Sequence, residues 1–406
     1  MPRVRTAPRP VAPPPSPRPI GAGWTAAPAT ALLAAGLLGA PARADEGPAP
    51  TIGGAVEVYS QAHLGGAPVT AARGFDSRPG TVTLSMAALD LRWGEGLAAR
   101  PAAGPPAAIG RLTLQAGATP AAYTAAEPAL PGAGGAPPTD AALWRALQQA
   151  YGGVQTGRAS LSAGLYLSPI GPEAMFVKDN WAWSRSNLFY GLPFYHTGAR
   201  ASLALSPRWE GVLWLTNGWN SVVDNNDTPA ISAQAVRSGE GSSLSVLYFG
   251  GVERAAGGPE GQPWRHLLDA HLTQQLSPRL TVLVHGDVGG ERGDLGWSTW
   301  AAAALAARVE AHATLAVAAR ADLFTERPGA RDGQTAAPLF WTAPWVSSGT
   351  LTLDHRPVPS LSVRLEGRHD RAGGPMFFDD QTSAVAPGPP AADHQSTLTL
   401  GLTAWR

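Results

Sequence analysis

Thr397-Leu398-Thr399-Leu400-Gly401-Leu402-Thr403-Ala404-Trp405, near the C-terminus, alternates leucine with threonine or small residues. Successive side chains of a β-strand point to opposite faces, so this period of two places the leucines on one face and the polar residues on the other. The same alternation recurs from residue 50 onward in segments of about ten residues, which is the length of a tilted strand that crosses a bilayer.

We therefore predict an all-β fold, a transmembrane antiparallel up-and-down β-barrel of about 16 strands (range 12–16). The predicted strands are Gly53–His63, Thr81–Trp93, Ala108–Ala116, Leu147–Gln155, Ser160–Ser168, Tyr195–Leu205, Trp209–Asn217, Ala230–Arg237, Ser243–Gly250, Trp264–Gln275, Arg279–Val288, Trp300–Arg308, His312–Phe324, Val346–Arg356, Ser360–His369 and Gln395–Trp405.

The connections between these segments alternate between short and long. Tight turns such as Ser206-Pro207-Arg208 are followed by longer loops rich in Gly, Pro and Asp. The predicted long loops are 118–146, 170–194, 218–229, 251–263, 289–299, 325–345 and 370–394, and residues 94–107 are a long exception where a short turn is expected. Outer-membrane barrels have this arrangement, with short periplasmic turns and long extracellular loops.

Charged residues indicate which face of each strand meets water. Arg364, Glu366 and Arg368 alternate with apolar residues along one segment. A charge that faces mid-bilayer lipid costs about 2–4 kcal/mol, so these side chains are expected inside the barrel. A half-exposed soluble sheet would alternate in the same way, and the aromatic residues favour the membrane interpretation because they lie where two interfacial girdles would lie. The girdle candidates are Trp93, Trp209 and Trp405 at the periplasmic ends and Tyr248, Phe249, Trp264, Trp297, Trp300, Phe324 and Trp345 at the outer ends.

Two segments also have helical character. Residues 140–150 place apolar residues at helical spacing, so a short helix could replace the start of the strand predicted at Leu147. Residues 301–320 are rich in alanine, a good helix former, but the flanking hairpins leave an odd strand count unless this segment is extended. We predict strands there.

The N-terminal residues predict export. A basic lead, a short apolar run over 31–40 and the small-residue site Ala42-Arg43-Ala44 are typical of a secretory signal peptide. We predict a signal peptide over 1–44, an N-terminal segment over 45–52 and one barrel domain over 53–406. Without residues 1–44 the chain has 25 basic and 30 acidic side chains, which argues against a nucleic-acid partner.

The densest block of polar and aromatic residues lies between residues 160 and 226. It contains Gly164–Glu173, Asn180–Ser186, Pro193–Arg200, Leu215–Asn220 and Asp224–Asn226. The sequence over this block resembles the OmpL-like putative porin-2 family of bacterial outer-membrane β-barrels, in which a P-x-G-x-E-like element precedes an R-S segment, a P-F-Y-H-x-G-x-R element and an N-G-W-N loop. The resemblance implies a porin-like pore. Such barrels usually end on an aromatic residue, whereas here Trp405 precedes Arg406.

Counted along the predicted strands, residues 170–194 form the third long loop. Porins of the general kind fold their third loop into the lumen, where it narrows the pore. By this analogy the loop would carry charges of both signs to a constriction, where a transverse field would favour small polar solutes. The alternative is that the loop packs as a plug or cap. The candidate residues of the constriction and lumen are Glu173, Lys178, Asp179, Arg185, His196, Arg200, Asn217, Asn220, Asp322, Arg364, Glu366 and Arg368.

Other site chemistry is weakly supported. Asp224–Asp227 could coordinate Ca²⁺ but is better explained as a turn. His271 and His285, beside Asp269 and Asp287, are expected to be satisfied polar groups of the lumen. No helical histidine pair or cysteine is present, so no metal and no cofactor is expected.

The leading hypothesis is a non-enzymatic channel for passive diffusion of small hydrophilic solutes or ions. Its other partners would be outer-membrane lipid and the barrel-assembly machinery, and the chain could form a homotrimer. An outer-membrane hydrolase is an alternative, with Ser186 and His196 as the pair to test, and a closed structural or adhesive barrel without conductance is another.

Overall fold

The computed structural model describes residues 50–94, 105–128, 144–254, 261–382 and 388–406. Sixteen antiparallel strands form one closed barrel, and a two-stranded hairpin lies in one of its loops. The barrel strands are β1 (Thr51–His63), β2 (Val82–Trp93), β3 (Ala107–Ala116), β4 (Leu147–Thr156), β5 (Ala159–Leu167), β6 (Tyr195–Ala204), β7 (Trp209–Thr216), β8 (Ala230–Gly239), β9 (Ser242–Val252), β10 (Trp264–Ser277), β11 (Leu280–Gly293), β12 (Gly296–His312), β13 (Leu315–Arg327), β16 (Trp345–Val358), β17 (Leu361–Ala372) and β18 (His394–Trp405). The hairpin strands are β14 (Ala330–Arg331) and β15 (Gln334–Thr335).

The first and last strands close the barrel. Strand β1 pairs with β18 from Ala55 opposite Trp405 to His63 opposite Thr397, and every other barrel strand pairs with its neighbours along the chain. Lipid offers no hydrogen-bond partner to a free strand edge, so a sheet can cross a membrane only when it closes in this way. The predicted up-and-down barrel is confirmed.

All sixteen predicted strands are present, with ends that move by a few residues. Strand β4 begins at Leu147, so the helix considered over 140–150 does not shorten it; residues 140–143 lie outside the described part. The alanine-rich segment 301–320 forms parts of β12 and β13. Their registered pairing, with Ala306 opposite Arg320, overrides helix propensity.

One predicted long loop is wrong. Residues 289–299 belong mostly to β11 and β12, which extend toward each other until only Asp294 and Leu295 separate them. The glycines in this stretch lie within the paired strands, as Gly293 opposite Gly296 shows, although they suggested a loop. Strands β1, β3, β5, β7, β9, β11, β13 and β17 end at the same rim of the barrel, which we call the long-loop rim; the opposite end is the short-turn rim, where β2 is followed by the long connection over 94–106.

The two faces of the barrel differ as the alternation predicts. Leu400 is 55% exposed on the outside, whereas its neighbour Thr399 is 1% exposed inside. Arg364, Glu366 and Arg368 are buried in the lumen. An apolar exterior therefore encloses a charged interior.

Three aromatic residues contradict the predicted outer girdle. Phe249, Trp300 and Phe324 are buried and face the lumen, because each lies on the inward phase of its strand. By contrast, Tyr248 and Trp297 are exposed on the outside.

Within the described ranges, helices are few and short. Ala118–Tyr123 and Asn187–Tyr190 are α-helical, and Thr124–Ala126 and Val177–Asp179 are 3₁₀ turns. Among the described residues, no helix has both the length and the apolar composition that a membrane span requires. The predicted signal peptide over 1–44 lies outside the described residues.

Placing a charge on the outer face tests the inside–outside assignment. We expect Leu400→Arg, near the middle of β18, to lower the free energy of unfolding by about 2–4 kcal/mol in lipid, because arginine there faces the bilayer midplane. Leu205→Arg, at the short-turn rim, should lower the free energy of unfolding by only about 0–1 kcal/mol. Urea titration in lipid vesicles measures both, and equal costs would contradict the assignment.

Candidate functional site

The loop formed by residues 168–194, here named the lumen loop, folds into the barrel and is held in shape by its own polar side chains. Asn180 donates to the carbonyl oxygen of Ala174 and accepts from its amide, both at 2.8 Å. Arg185 donates to the carbonyl oxygens of Trp183 (2.8 Å) and Met175. These bonds satisfy backbone groups that no strand pairs, so the loop has a fixed shape inside the lumen.

Carboxylates on the barrel wall accept the backbone amides of the lumen loop. Glu366 of β17 accepts from the amides of Trp183 (2.5 Å) and Ser184 (3.0 Å). Glu57 of β1 accepts from the amide of Val177 at 2.6 Å. Hydrogen bonds to a charged group are about twice as strong as neutral ones, so these contacts fix the loop at two points of the wall.

The short helix of the loop is attached to β13. Asp322 accepts from the backbone amide of Asn187 (3.2 Å) and from its side-chain amide (2.7 Å). Ser186 caps the same helix by accepting from the amide of Phe189 at 3.3 Å. The helix start is therefore held to the wall and satisfied locally.

Three wall arginines bind carbonyl and carboxylate oxygens of the lumen loop. Arg364 donates to the carbonyl oxygens of Val177 (2.8 Å) and Ala182 (3.1 Å). Arg320 donates to the Glu173 carboxylate (2.7 Å) and to the Ser184 carbonyl oxygen (2.8 Å). Arg368 donates to the Ser184 hydroxyl (3.2 Å) and to the Arg185 carbonyl oxygen. Anionic and cationic wall groups thus bind the same loop from several strands.

One glycine makes room for the loop. The Trp183 ring packs against Tyr59 and over Gly401, where an added Cβ would lie 2.1 Å from the ring. Gly401 is the residue at which threonine is missing from the alternation of β18. A side chain at this inward position would displace the tryptophan.

Apolar residues fill the lumen at the long-loop rim. They come from several loops and strand ends, and we call them the apolar rim cluster. Its members include Leu188, Leu192, Trp219, Phe249, Trp300, Phe324, Trp341 and Phe377, with a second group of Phe75, Tyr123, Met175, Phe189 and Tyr195. This cluster explains why Phe249, Trp300 and Phe324 face inward.

A space stays open between the lumen loop and the wall. We call it the lumen gap, and its cavity volume is about 60 Å³. The loop side includes Pro172, Glu173, Asp179 and Asn180, and the wall side includes His285, Ala304, Ala306, Ala318, Arg320 and Thr352. The gap exists because small alanines of β12 and β13 face the loop.

Comparison with known proteins identifies the barrel. A profile of the family described as "Putative beta-barrel porin-2, OmpL-like" matches residues 50–404. The chain belongs to this family. The resemblance inferred from residues 160–226 is confirmed and extends over the whole described barrel. Comparison with curated protein sequences returned no match.

Solved outer-membrane proteins share the fold of this porin-2 barrel. The outer membrane channel DcaP of Acinetobacter baumannii is 9% identical, with 88% of this chain and 97% of that one covered and a TM-score of 0.54. An anion-selective porin from Comamonas acidovorans is 13% identical, with coverages of 88% and 99% and a TM-score of 0.55. OmpT of Vibrio cholerae is 10% identical, with coverages of 88% and 97% and a TM-score of 0.54. At these identities the likeness concerns the fold, and family and fold together assign the chain to porin-like barrels of the outer membrane.

The structure divides the residues predicted for the constriction of this porin-2 barrel into two sets. One set forms the contacts between lumen loop and wall: Glu173, Asp322, Arg364, Glu366 and Arg368. The Arg185 side chain instead binds carbonyl oxygens within the loop. Asp179 lines the gap and pairs with the partly exposed Lys178 at 2.8 Å.

The second set lies away from this network. Arg200 pairs with Glu210 at 3.3 Å. Asn217 donates to the carbonyl oxygen of Val222 at 2.8 Å, and Asn220 accepts from the amide of Phe194 at 2.6 Å. The two asparagines therefore shape loops near the long-loop rim.

The pair considered for a hydrolase is not brought together. His196 contacts the carbonyl oxygen of Gly218 (2.9 Å) and the hydroxyl of Ser168 (3.2 Å). Ser186 instead donates its hydroxyl to Glu173. The two residues have different partners, so the geometry gives this pair no nucleophile–base contact.

Two carboxyl groups near the long-loop rim, outside the strands, have perturbed acidity. Burial raises the pKa of Glu253 to about 7, although Arg265 and a hydrogen bond from the amide of Trp219 act in the opposite direction. Burial also raises the pKa of Glu127, which accepts from Tyr195 at 2.6 Å. Both groups hold rim loops in place.

The Asp224–Asp227 segment forms a turn. Asp224 accepts from the amides of Asn226 (2.9 Å) and Asp227 (3.0 Å), which is the pattern of an Asx turn. The Asp224 carboxylate is therefore occupied by hydrogen bonds within the turn.

Sequence reasoning missed Glu57 and Arg320 as site residues. Both lie on the inward phase of their strands, so the alternation could have placed them in the lumen. Their contacts with Val177 and Glu173 join residues 120 and 147 positions apart in the sequence, and no local pattern predicts such contacts.

Removing the Glu366 carboxylate tests how the lumen loop is held. We expect Glu366→Ala to raise the rate of tryptic cleavage after Lys178 and Arg185 by about 10- to 100-fold, because losing charge-assisted hydrogen bonds costs about 1.5–3 kcal/mol. Limited proteolysis of the folded barrel with mass spectrometry measures the cleavage.

The matched control is Glu210→Ala, which removes the partner of Arg200 away from the loop and should leave the rate unchanged. If Glu366→Ala were cleaved no faster than wild type, the wall carboxylate would not hold the loop.

Proposed function

We propose that this barrel is a narrow channel for passive diffusion of small hydrophilic solutes or ions across the outer membrane. The observation that supports it is the lumen gap, which lies between the lumen loop and the inner wall and has a cavity volume of about 60 Å³. Passage would follow this gap, because the loop and the apolar rim cluster fill much of the remaining lumen.

The lining of the gap suits small polar solutes. Glu173, Asp179 and Asn180 offer polar groups on the loop side, and Arg320 and Thr352 offer them on the wall. Hydrogen-bonding groups replace part of the hydration shell of a solute, while the width between loop and wall limits its size. Glu173 and Arg320 form an ion pair, with 2.7 Å between their charged atoms, that lines one side of the gap, and the proposed constriction lies beside this pair.

Export and assembly belong to the same proposal. A signal peptide over residues 1–44 would direct the chain through the periplasm, and the barrel-assembly machinery would insert it. N-terminal sequencing of the protein from membranes checks the cleavage site. A homotrimer is supported by OmpT of Vibrio cholerae, whose solved structures include a trimer form. Light scattering in detergent measures the number of chains.

A closed barrel without conductance is the second candidate. It is supported by the apolar rim cluster, in which Trp219, Phe324 and Trp341 pack together across the end of the lumen. Hydrophobic constrictions can close a pore by excluding water. The two candidates differ in whether ions cross the folded barrel.

Single-channel recording with a narrowing variant tests the proposed passage. We expect wild-type barrels in a planar bilayer to give current steps of uniform size, and Ala304→Trp to lower the step by at least about half, because the indole would occupy the passage. Ala303→Trp is the matched control, since its side chain faces outward, and its step should equal that of wild type.

Silence from folded wild-type protein would contradict the channel and support the closed barrel. Equal steps from Ala304→Trp and wild type would show that ions take a route other than the lumen gap.

A further inference from the structure

The β10–β11 hairpin brings two carboxylates and two imidazoles together on the lumen face. Asp269 lies directly opposite Asp287, and His271 lies directly opposite His285. The sequence carries this arrangement as Asp-x-His on β10 and His-x-Asp on β11. A period of two places all four side chains on one face of the sheet.

The side-chain atoms of three of these residues converge. His285 Nε2 lies 2.7 Å from an oxygen of Asp269 and 3.2 Å from an oxygen of Asp287. The ligand atoms of Asp269, His285 and Asp287 all lie within 4.8 Å of one another. His271 supports the group from the side, with Nδ1 3.3 Å from Asp269.

The Asp287 carboxylate is buried and points into this group, with His285 Nε2 3.2 Å from one of its oxygens. Asp287 is 2% exposed, and neither of its oxygens has a hydrogen bond. Among the buried carboxylates that the structure describes, the others that have an unpartnered oxygen, Glu57 and Glu253, each accept a backbone amide through the second oxygen. Burying an acid that accepts no hydrogen bond is costly, and the like charge of Asp269 directly across the hairpin adds to this cost.

Other lumen carboxylates are neutralised by arginine. Asp354 pairs with Arg308, Arg356 and Arg364, and Asp370 pairs with Arg73 and Arg368. For Asp269 and Asp287, the basic side chains within ion-pair distance in the described chain are His271 and His285. The hairpin group therefore lacks the arginines that neutralise the other lumen carboxylates, and a bound cation would take their place.

We propose that Asp269, His285 and Asp287 bind one divalent transition-metal ion in the lumen, with His271 orienting Asp269. An imidazole with two carboxylates suits Zn²⁺ and similar ions, whereas Ca²⁺ and Mg²⁺ prefer oxygen ligands alone. Ligands at about 2.1 Å from a tetrahedral ion lie about 3.4 Å apart, so the observed separations need small changes to accept one. The site does not depend on whether the barrel conducts.

The position of the site connects it to the lumen loop. His285 lines the lumen gap, and a Cβ built on Gly171 of the loop would lie 3.4 Å from its ring. A bound ion would therefore lie beside the gap and under the loop.

Zinc binding to the refolded full barrel tests the proposal. After chelator treatment, we expect equilibrium dialysis to find one tight Zn²⁺ per chain, and Zn²⁺ to raise the Tm because it binds the folded state. Asp287→Asn and His285→Asn should each weaken binding at least about 100-fold. His266→Asn is the matched control: His266 lies on β10, the strand of Asp269, but outside the barrel beside Tyr248, and its loss should leave the affinity unchanged.

Absence of zinc binding to wild type would overturn the proposal. Unchanged affinity in both Asp287→Asn and His285→Asn would also overturn it and assign the ion to surface histidines such as the adjacent His369 and His394. An anomalous diffraction map of zinc-soaked wild-type crystals locates the ion without any variant. A peak between β10 and β11 is expected, and a peak only on the outer surface would contradict the site.

Discussion

The interior of this barrel depends on wall carboxylates that accept backbone amides of the lumen loop. Glu366 receives two such amides, from Trp183 and Ser184, at a depth where water does not replace them. A buried carboxylate is stable only when it is well hydrogen-bonded, and a loop inside a barrel needs acceptors for amides that no strand pairs. The wall carboxylate and the loop amides therefore satisfy each other. The shape of the lumen gap and the placement of the rim loops follow from this arrangement.

Much of the fold follows from alternation, because one repeating physical condition acts on every strand. Because lipid lies outside the barrel and water or polar loops lie inside it, the position of a residue in the alternation decides whether its side chain points inward or outward. This rule correctly placed Arg364, Glu366 and Leu400. The same rule, applied strictly, would have placed Phe249, Trp300 and Phe324 inside. Reading them as girdle aromatics failed because an aromatic ring is as suitable for an apolar plug as for a membrane interface. Gly293 and Gly296 misled in a similar way, since strand pairing overrode their turn propensity.

The alternation predicts which residues of the candidate site face the lumen, and their role in a constriction stays a prediction. Glu173 and Glu366 take part in contacts between lumen loop and wall, whereas the Arg185 side chain binds carbonyl oxygens within the loop. The detailed contacts with the wall could not be predicted, because they join residues more than a hundred positions apart through the register of a closed sheet. The group around His285 shows the same limit. A search for helical histidine spacing passes over Asp-x-His and His-x-Asp, which become neighbours only when the hairpin register sets Asp269 opposite Asp287.

The most direct test of this account is hydrogen exchange at the amides of Trp183 and Ser184 in the folded barrel in detergent micelles, measured by NMR. If Glu366 holds the lumen loop inside, these amides exchange as slowly as strand amides of β17. Exchange as fast as at the exposed turn residue Asp332 would contradict a loop fixed to the wall.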